Sequence, residues 1–152
     1  MIELVKFNPV HLRHLTVQQD QRYAAELFGR PDYQELLLMG DGYTVLHDGR
    51  VVGCGGIWPM TDYMGRAWAL VGQEAGPVLL AASRVVRHFL TQNDYVRLDT
   101  PVRRDFTNGH RWARLLGFVN ETPERGMKYY GYDGGTYDLY ALYPQELKHG
   151  QS

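Results

Sequence analysis

The chain opens on an alternation of apolar and polar positions. From Met1 to Phe7, apolar Ile2, Leu4 and Phe7 are set against polar Glu3 and Lys6, which predicts a first strand ended by Asn8 and Pro9. The period then lengthens. Three short helices are expected over Val10–Gln18, Asp20–Phe28 and Pro31–Met39. Their apolar positions include Leu12 and Leu15, then Tyr23, Ala24 and Leu27, with a proline at the start of the third. Strand-like runs return at Tyr43–His47 and Arg50–Trp58. The Asp48-Gly49 pair between them predicts a tight hairpin, because both residues tolerate positive φ. After a loop over Pro59–Gly65, the run Arg66–Gly72 (RAWALVG) predicts the next strand of a meander.

Pro77–Thr91 has the clearest helical pattern, with Val78, Ala82, Val85 and Phe89 three or four residues apart and Pro77 at the first helical position. Tyr95–Thr100 follows as a strand. A helix capped by Thr107 or Asn108 then runs to Leu116, and Gly117 supplies the left-handed exit. Phe118 begins another strand. The last expected element is a hairpin turning at Asp133-Gly134-Gly135, which joins a ladder ending near Tyr130 or Tyr132 to a strand over Thr136–Leu142.

Composition narrows what such a chain does. It has 152 residues, 44% hydrophobic and 22% charged, enough to build a core. Sixteen basic residues against seventeen acidic give a formal charge of −1, so no global positive field holds nucleic acid or an anionic membrane. No apolar run reaches the roughly 20 residues of a membrane-spanning helix. A lone Cys54 and the lack of a signal-like start predict a reducing compartment and a cytoplasmic protein. His11 and His14 share a helical spacing but lack a third ligand, so no metal site is expected.

The element order, with DGRVVGCGGIW (Asp48–Trp58), WALVGQEAG (Trp68–Gly76) before the long helix, and NGHRWARLLGF (Asn108–Phe118), resembles the GNAT N-acyltransferase superfamily over nearly the whole chain. Leu116-Gly117-Phe118 is similar to the signature that commonly ends the corresponding GNAT helix. His110-Arg111-Trp112 together with WALVG is similar to GNAT-like internal virion proteins of short-tailed bacteriophages. The resemblance implies an α/β fold with a GNAT-like mixed, mostly antiparallel central sheet flanked by helices. Residues 1–145 are expected to form one such domain and 146–152 a polar C-terminal tail.

In the superfamily, a backbone N–H of the strand before the long helix holds the acyl thioester carbonyl, and the loop at the helix start cradles pyrophosphate. The resemblance therefore implies acetyl-CoA as cofactor, with Val71, Gly72, Gln73, Gly76, Asn108 and Arg111 as its contacts. Pro77 removes an amide from that loop, Val78 replaces a small residue and Glu74 adds a negative charge. A plainer reading makes Gly76 a turn and Pro77 a helix start. Arg103-Arg104, with Arg84, Arg87, Arg111 and Arg114, offers either a positive patch for a coenzyme phosphate or solvated helix faces.

The tyrosine that commonly protonates the departing thiolate is replaced by Ala113. Tyr130 or His110 would have to stand in for it, and Glu74 and Asp99 are the candidate bases. These departures favour a phage-type GNAT-fold protein with a degenerate acyl-CoA site, a binding or virion-associated component whose partner is a protein of a phage particle. It would be found in the host cytoplasm or the virion. The alternative is an acetyl-CoA-dependent N-acetyltransferase acting on a primary amine.

Overall fold

The computed structural model describes residues 1–18 and 21–149, with the side chain of His149 left aside. Seven strands form one sheet: β1 (Ile2–Lys6), β2 (Asp41–His47), β3 (Arg50–Pro59), β4 (Met64–Val71), β5 (Arg97–Arg103), β6 (Val119–Asn120) and β7 (Tyr137–Leu142). Their spatial order is β1-β2-β3-β4-β5-β7-β6. The β1–β2, β2–β3, β5–β7 and β6–β7 ladders are antiparallel, whereas in β4–β5 Met64, Gly65 and Arg66 run parallel to Arg97, Leu98 and Asp99. The helices are α1 (Arg22–Phe28), α2 (Pro31–Leu38), α3 (Leu79–Thr91), α4 (Thr107–Leu115) and α5 (Pro144–His149). This is the mixed, mostly antiparallel α/β architecture expected from the sequence.

The chain divides into two compact units. The first comprises Met1–Pro59 and Ala67–Ala82, the second Met60–Arg66 and Ser83–Ser152. In the first unit the Asp48-Gly49 turn has φ of 50° and 81°, as a two-residue hairpin with right-handed strand twist requires. The core of this unit is aromatic: the Trp68 ring lies 5.1 Å from that of Phe7 and 5.5 Å from that of Phe28, both edge-on. Gly40 fits because any Cβ there would sit 1.8 Å from the Ile57 carbonyl oxygen.

Four expectations need correction. The helix expected over Val10–Gln18 is only a 3-10 turn, Pro9–His14. Asn8 caps it, and its C-cap Leu15 is already extended. Val17 then bridges to Gly72 as a strand would, so backbone pairing overrides the helical spacing. Asp20, the expected start of the next helix, lies outside the described residues, and α1 begins at Arg22.

Pro77 does not open the long helix. It lies inside a 3-10 stretch, Gln73–Val78, and the α-helix proper starts at Leu79. At α4 neither Thr107 nor Asn108 is the cap; Phe106 holds that position without a side-chain hydrogen bond. Gly117 takes the expected left-handed form, with φ of 99°.

The last correction concerns the closing hairpin. Gly134 is left-handed and Gly131 N–H donates to the Gly135 carbonyl, so a turn is present. No ladder enters it from Tyr130 or Tyr132. On the side away from β5, β7 pairs with β6, Val119 opposite Ala141, and Met127 makes an isolated bridge to Tyr137. The intervening loop is braced instead by an ion pair of Arg103 with Asp133 and by hydrogen bonds from Arg104 to the carbonyls of Pro123 and Glu124. α5 follows β7, and the amide of Gln145 within it donates to the Asn93 and Tyr95 carbonyls. Residues 150–152 lie outside the described residues.

Candidate functional site

In the first unit, the candidate site is built on the end of β4 and the 3-10 stretch after it. Gly72 N–H donates to Val52 O at 2.8 Å, which closes the strand against β3. Val71 is paired differently. Its N–H donates to Gln21 Oε1 at 2.7 Å, while Gln21 Nε2 donates to Ala69 O at 2.9 Å. One side-chain carboxamide thereby occupies a donor and an acceptor two residues apart on β4.

The backbone beside it continues the same pattern. Gln18 N–H donates to Val71 O at 3.2 Å and Gln73 N–H donates to Thr16 O at 2.8 Å. The Gln73 side chain donates to Val17 O at 3.1 Å. Gly72, Gln73 and Glu74 also line a groove of about 500 Å³ with His14, Arg50 and Val52. Glu74 is 72% exposed and loosely paired with Arg50 at 3.9 Å. Gly76 is open: an added Cβ would meet no atom within 4 Å.

In the second unit, the structure joins Asp99 and Tyr130 through a residue the sequence reading passed over. Arg66 Nε donates to Asp99 Oδ1 at 2.6 Å, and Arg97 approaches Asp99 Oδ2 at 3.6 Å. Asp99 is 5% exposed. Burial works against the Arg66 charge, but hydrogen bonds to Asp99 and Tyr130 more than offset it and hold the guanidinium above its ordinary value. Arg97 is held up in turn by a two-pronged pair with Glu121, at 2.9 and 2.7 Å.

His110 is half-buried in a network. Its Nε2 lies 2.9 Å from the Arg104 carbonyl and its Nδ1 lies 2.6 Å from the Tyr140 hydroxyl. A carbonyl only accepts, so Nε2 carries the proton and Nδ1 accepts from Tyr140. Burial raises the Tyr140 phenol above its usual value and Asp138 adds to this, against opposing terms from Arg114 and Asn120. Asp138, 3% exposed, lies 3.7 Å from His110 and 3.8 Å from Arg104.

The remaining candidates scatter. Asn108 and Arg111 are exposed on α4, while Ala113, at the position of the missing tyrosine, is buried. Trp112 Nε1 donates to Ser83 Oγ at 3.0 Å and ties α4 to α3. Arg103 and Arg104 are engaged within the second unit, whereas Arg84, Arg87 and Arg111 point to solvent. His11 Nδ1 accepts from Asn8 N–H and pairs with the Thr44 hydroxyl at 2.6 Å. Among the described residues no group of three or more His, Cys, Asp or Glu is placed to hold a metal ion, and no helix is long and apolar enough to cross a membrane. Cys54 is buried, and desolvation pushes its thiol up to about 11 despite its hydrogen bond with Thr44.

Two signals for the missed residues were present in the sequence. Arg66 shares the parity of Trp68 and Leu70 along β4, so a charge falls where the alternation calls for burial, and such a charge needs a partner. Tyr140 and Asp138 interrupt the strand Tyr137–Leu142 in the same way. Gln21 gave no such sign, because its partners are backbone atoms about 50 residues away.

No family model matches the sequence, and no curated protein matches it. The architecture nevertheless defines a class, since strand order, parallel β4–β5 contact and helix placement are those of the GNAT acetyltransferase fold. An acetyltransferase of the GNAT family from Bacillus anthracis superposes with a TM-score of 0.66 at 14% identity, over 95% of this chain and 96% of that one. RimL, a ribosomal L7/L12 alpha-N-protein acetyltransferase solved in complex with coenzyme A, gives 0.64 at 17% identity over 93% of each chain. Mutant forms of the spermidine/spermine N-acetyltransferase SpeG from Vibrio cholerae give 0.61 at 11% identity, over 99% of this chain and 100% of that one.

Proposed function

We propose that the chain is an acyl-CoA-dependent N-acyltransferase acting on a primary amine. The observation that carries this reading is likeness over almost the full length to acetyltransferases, one of them solved with coenzyme A. The binding or virion-associated reading rests on the sequence resemblance alone, and the fold neighbours favour the enzyme over it.

The residues present fit a coenzyme thioester at the open Gly76 backbone, where a ligand can approach without meeting a side chain. Gly72, Gln73 and Gly76 would hold its anionic end, and Val71 N–H would face its carbonyl. When bound, the coenzyme supplies an activated acyl group for attack by the amine.

The chain's own acid–base groups have distinct tasks in this reading. Tyr130 accepts a hydrogen bond from Arg66, and we assign it the role of general acid. Asp99, gripped by Arg66 and Arg97, acts by orienting Arg66 rather than as a base. Glu74, exposed and 3.9 Å from Arg50, remains the candidate base.

The test is release of free coenzyme A from acetyl-CoA in the presence of a polyamine or a peptide α-amine. Wild-type protein should turn over at least one amine. Tyr130→Phe should lower kcat by about 10²-fold with an unchanged dissociation constant for acetyl-CoA. Absence of release with every amine would overturn the reading.

A further inference from the structure

The first unit contains a contact that opposes the activity just proposed. The Gln21 carboxamide accepts from Val71 N–H at 2.7 Å and donates to Ala69 O at 2.9 Å. These two backbone groups have the spacing of successive rungs on one edge of a strand, and a carboxamide offers the complementary donor and acceptor. Thr16–Gln18 extends the cover, taking Gln73 N–H and Val71 O. Polar groups along this edge of β4 from Ala69 to Gln73 are therefore already satisfied from within the chain.

We propose that Gln21 is a built-in competitor of acyl-CoA, an amide that holds the Val71 N–H until a thioester carbonyl displaces it. This rests on the acyltransferase reading. Energetics favour a clasp that opens rather than a permanent seal. A neutral hydrogen bond contributes little net, because water competes for both partners, so two such bonds leave an open population that a ligand can draw on. The apparent dissociation constant is then the intrinsic one divided by the open fraction. Gln21 would thus set the acyl-CoA concentration at which the enzyme loads, and would shield the β4 edge from other strands when no coenzyme is present.

Two variants move the competition in opposite directions. Gln21→Met keeps the length of the side chain and removes both hydrogen-bonding groups. It should bind acetyl-CoA about tenfold more tightly by calorimetry, the equivalent of about 1.4 kcal/mol. Gln21→Glu keeps an acceptor for Val71 N–H and strengthens it by charge, so it should bind more weakly than wild type. Amide exchange at Val71, followed in ligand-free protein, reports the contact without any coenzyme. It should accelerate in Gln21→Met and not in Gln21→Glu.

Equal or weaker binding by Gln21→Met, with the wild type binding, would overturn the competitor and leave the acyltransferase reading standing. No binding by any of the three proteins would overturn both. An unchanged Val71 exchange rate in Gln21→Met would show that the contact does not protect the edge.

Discussion

The two units are held together internally by different physics. The first closes on stacked and edge-on rings of Phe7, Phe28, Tyr33, Trp58 and Trp68, and its ion pairs, such as Arg30–Asp32 and Arg50–Glu74, are exposed. The second also buries apolar residues, Leu98, Phe118 and Leu142 among them, but adds charge to them: Arg66, Asp99, Arg97 and Glu121 form one chain of pairs, and Arg104, Asp138 and His110 form another. The difference teaches where chemistry can reside. An apolar core fixes backbone groups, such as the β4 edge, with little titratable matter nearby. A network of half-buried charges fixes polar side chains, such as Tyr130 through Arg66.

The contrast can be broken most sharply in the aromatic core. Trp68→Ala removes the ring that touches both Phe7 and Phe28, and should cost about 3–5 kcal/mol in chemical denaturation. Trp68→Phe should cost much less, because Trp68 Nε1 is buried without a hydrogen-bond partner and its loss leaves no polar group behind. In the second unit Asp99→Ala strands Arg66 at 18% side-chain exposure and should cost about 3 kcal/mol. Replacing Asp99 and Arg66 together by apolar residues should recover part of that loss, which a purely additive pair would not.

A pH titration sharpens the comparison further. The Cys54 thiol rises from 9.0 to about 11 on folding, so the unfolded chain releases its proton first. Its contribution is fully present below pH 9 and is lost as pH approaches 11. A shift of two units is worth about 2–3 kcal/mol, and Cys54→Ala should flatten that part of the stability curve. The smallest effect belongs to the first unit's exposed charges. Arg50→Gln should change stability by under about 0.5 kcal/mol and become undetectable in high salt.

Much of the scaffold was legible from local pattern. Asp48-Gly49, the β2–β3 hairpin it closes and the Gly117 exit from α4 are set by φ and by alternation within a few residues, and each is found where the sequence places it. Local pattern failed where a distant partner decides the outcome. Val17 is extended because Gly72 pairs with it, and the 3-10 form around Pro77 joins β4 to α3 in place of a clean helix start. The candidate site divides the same way. Gly76 was readable as an open loop position, but the Arg66 bridge between Asp99 and Tyr130, and the Gln21 clasp on Val71, exist only once strands far apart in sequence are aligned.

The most direct test of the acyltransferase reading is a calorimetric titration of acetyl-CoA into the wild-type protein and Gly76→Asp. An added side chain at Gly76 meets no atom within 4 Å and the glycine has ordinary φ, so the variant should fold normally while placing bulk and negative charge on the loop. The account predicts saturable one-to-one binding by the wild type and a loss of at least about tenfold, or about 1.4 kcal/mol, in Gly76→Asp. Equal affinity in the two proteins, or no binding by the wild type at millimolar acetyl-CoA, would contradict it.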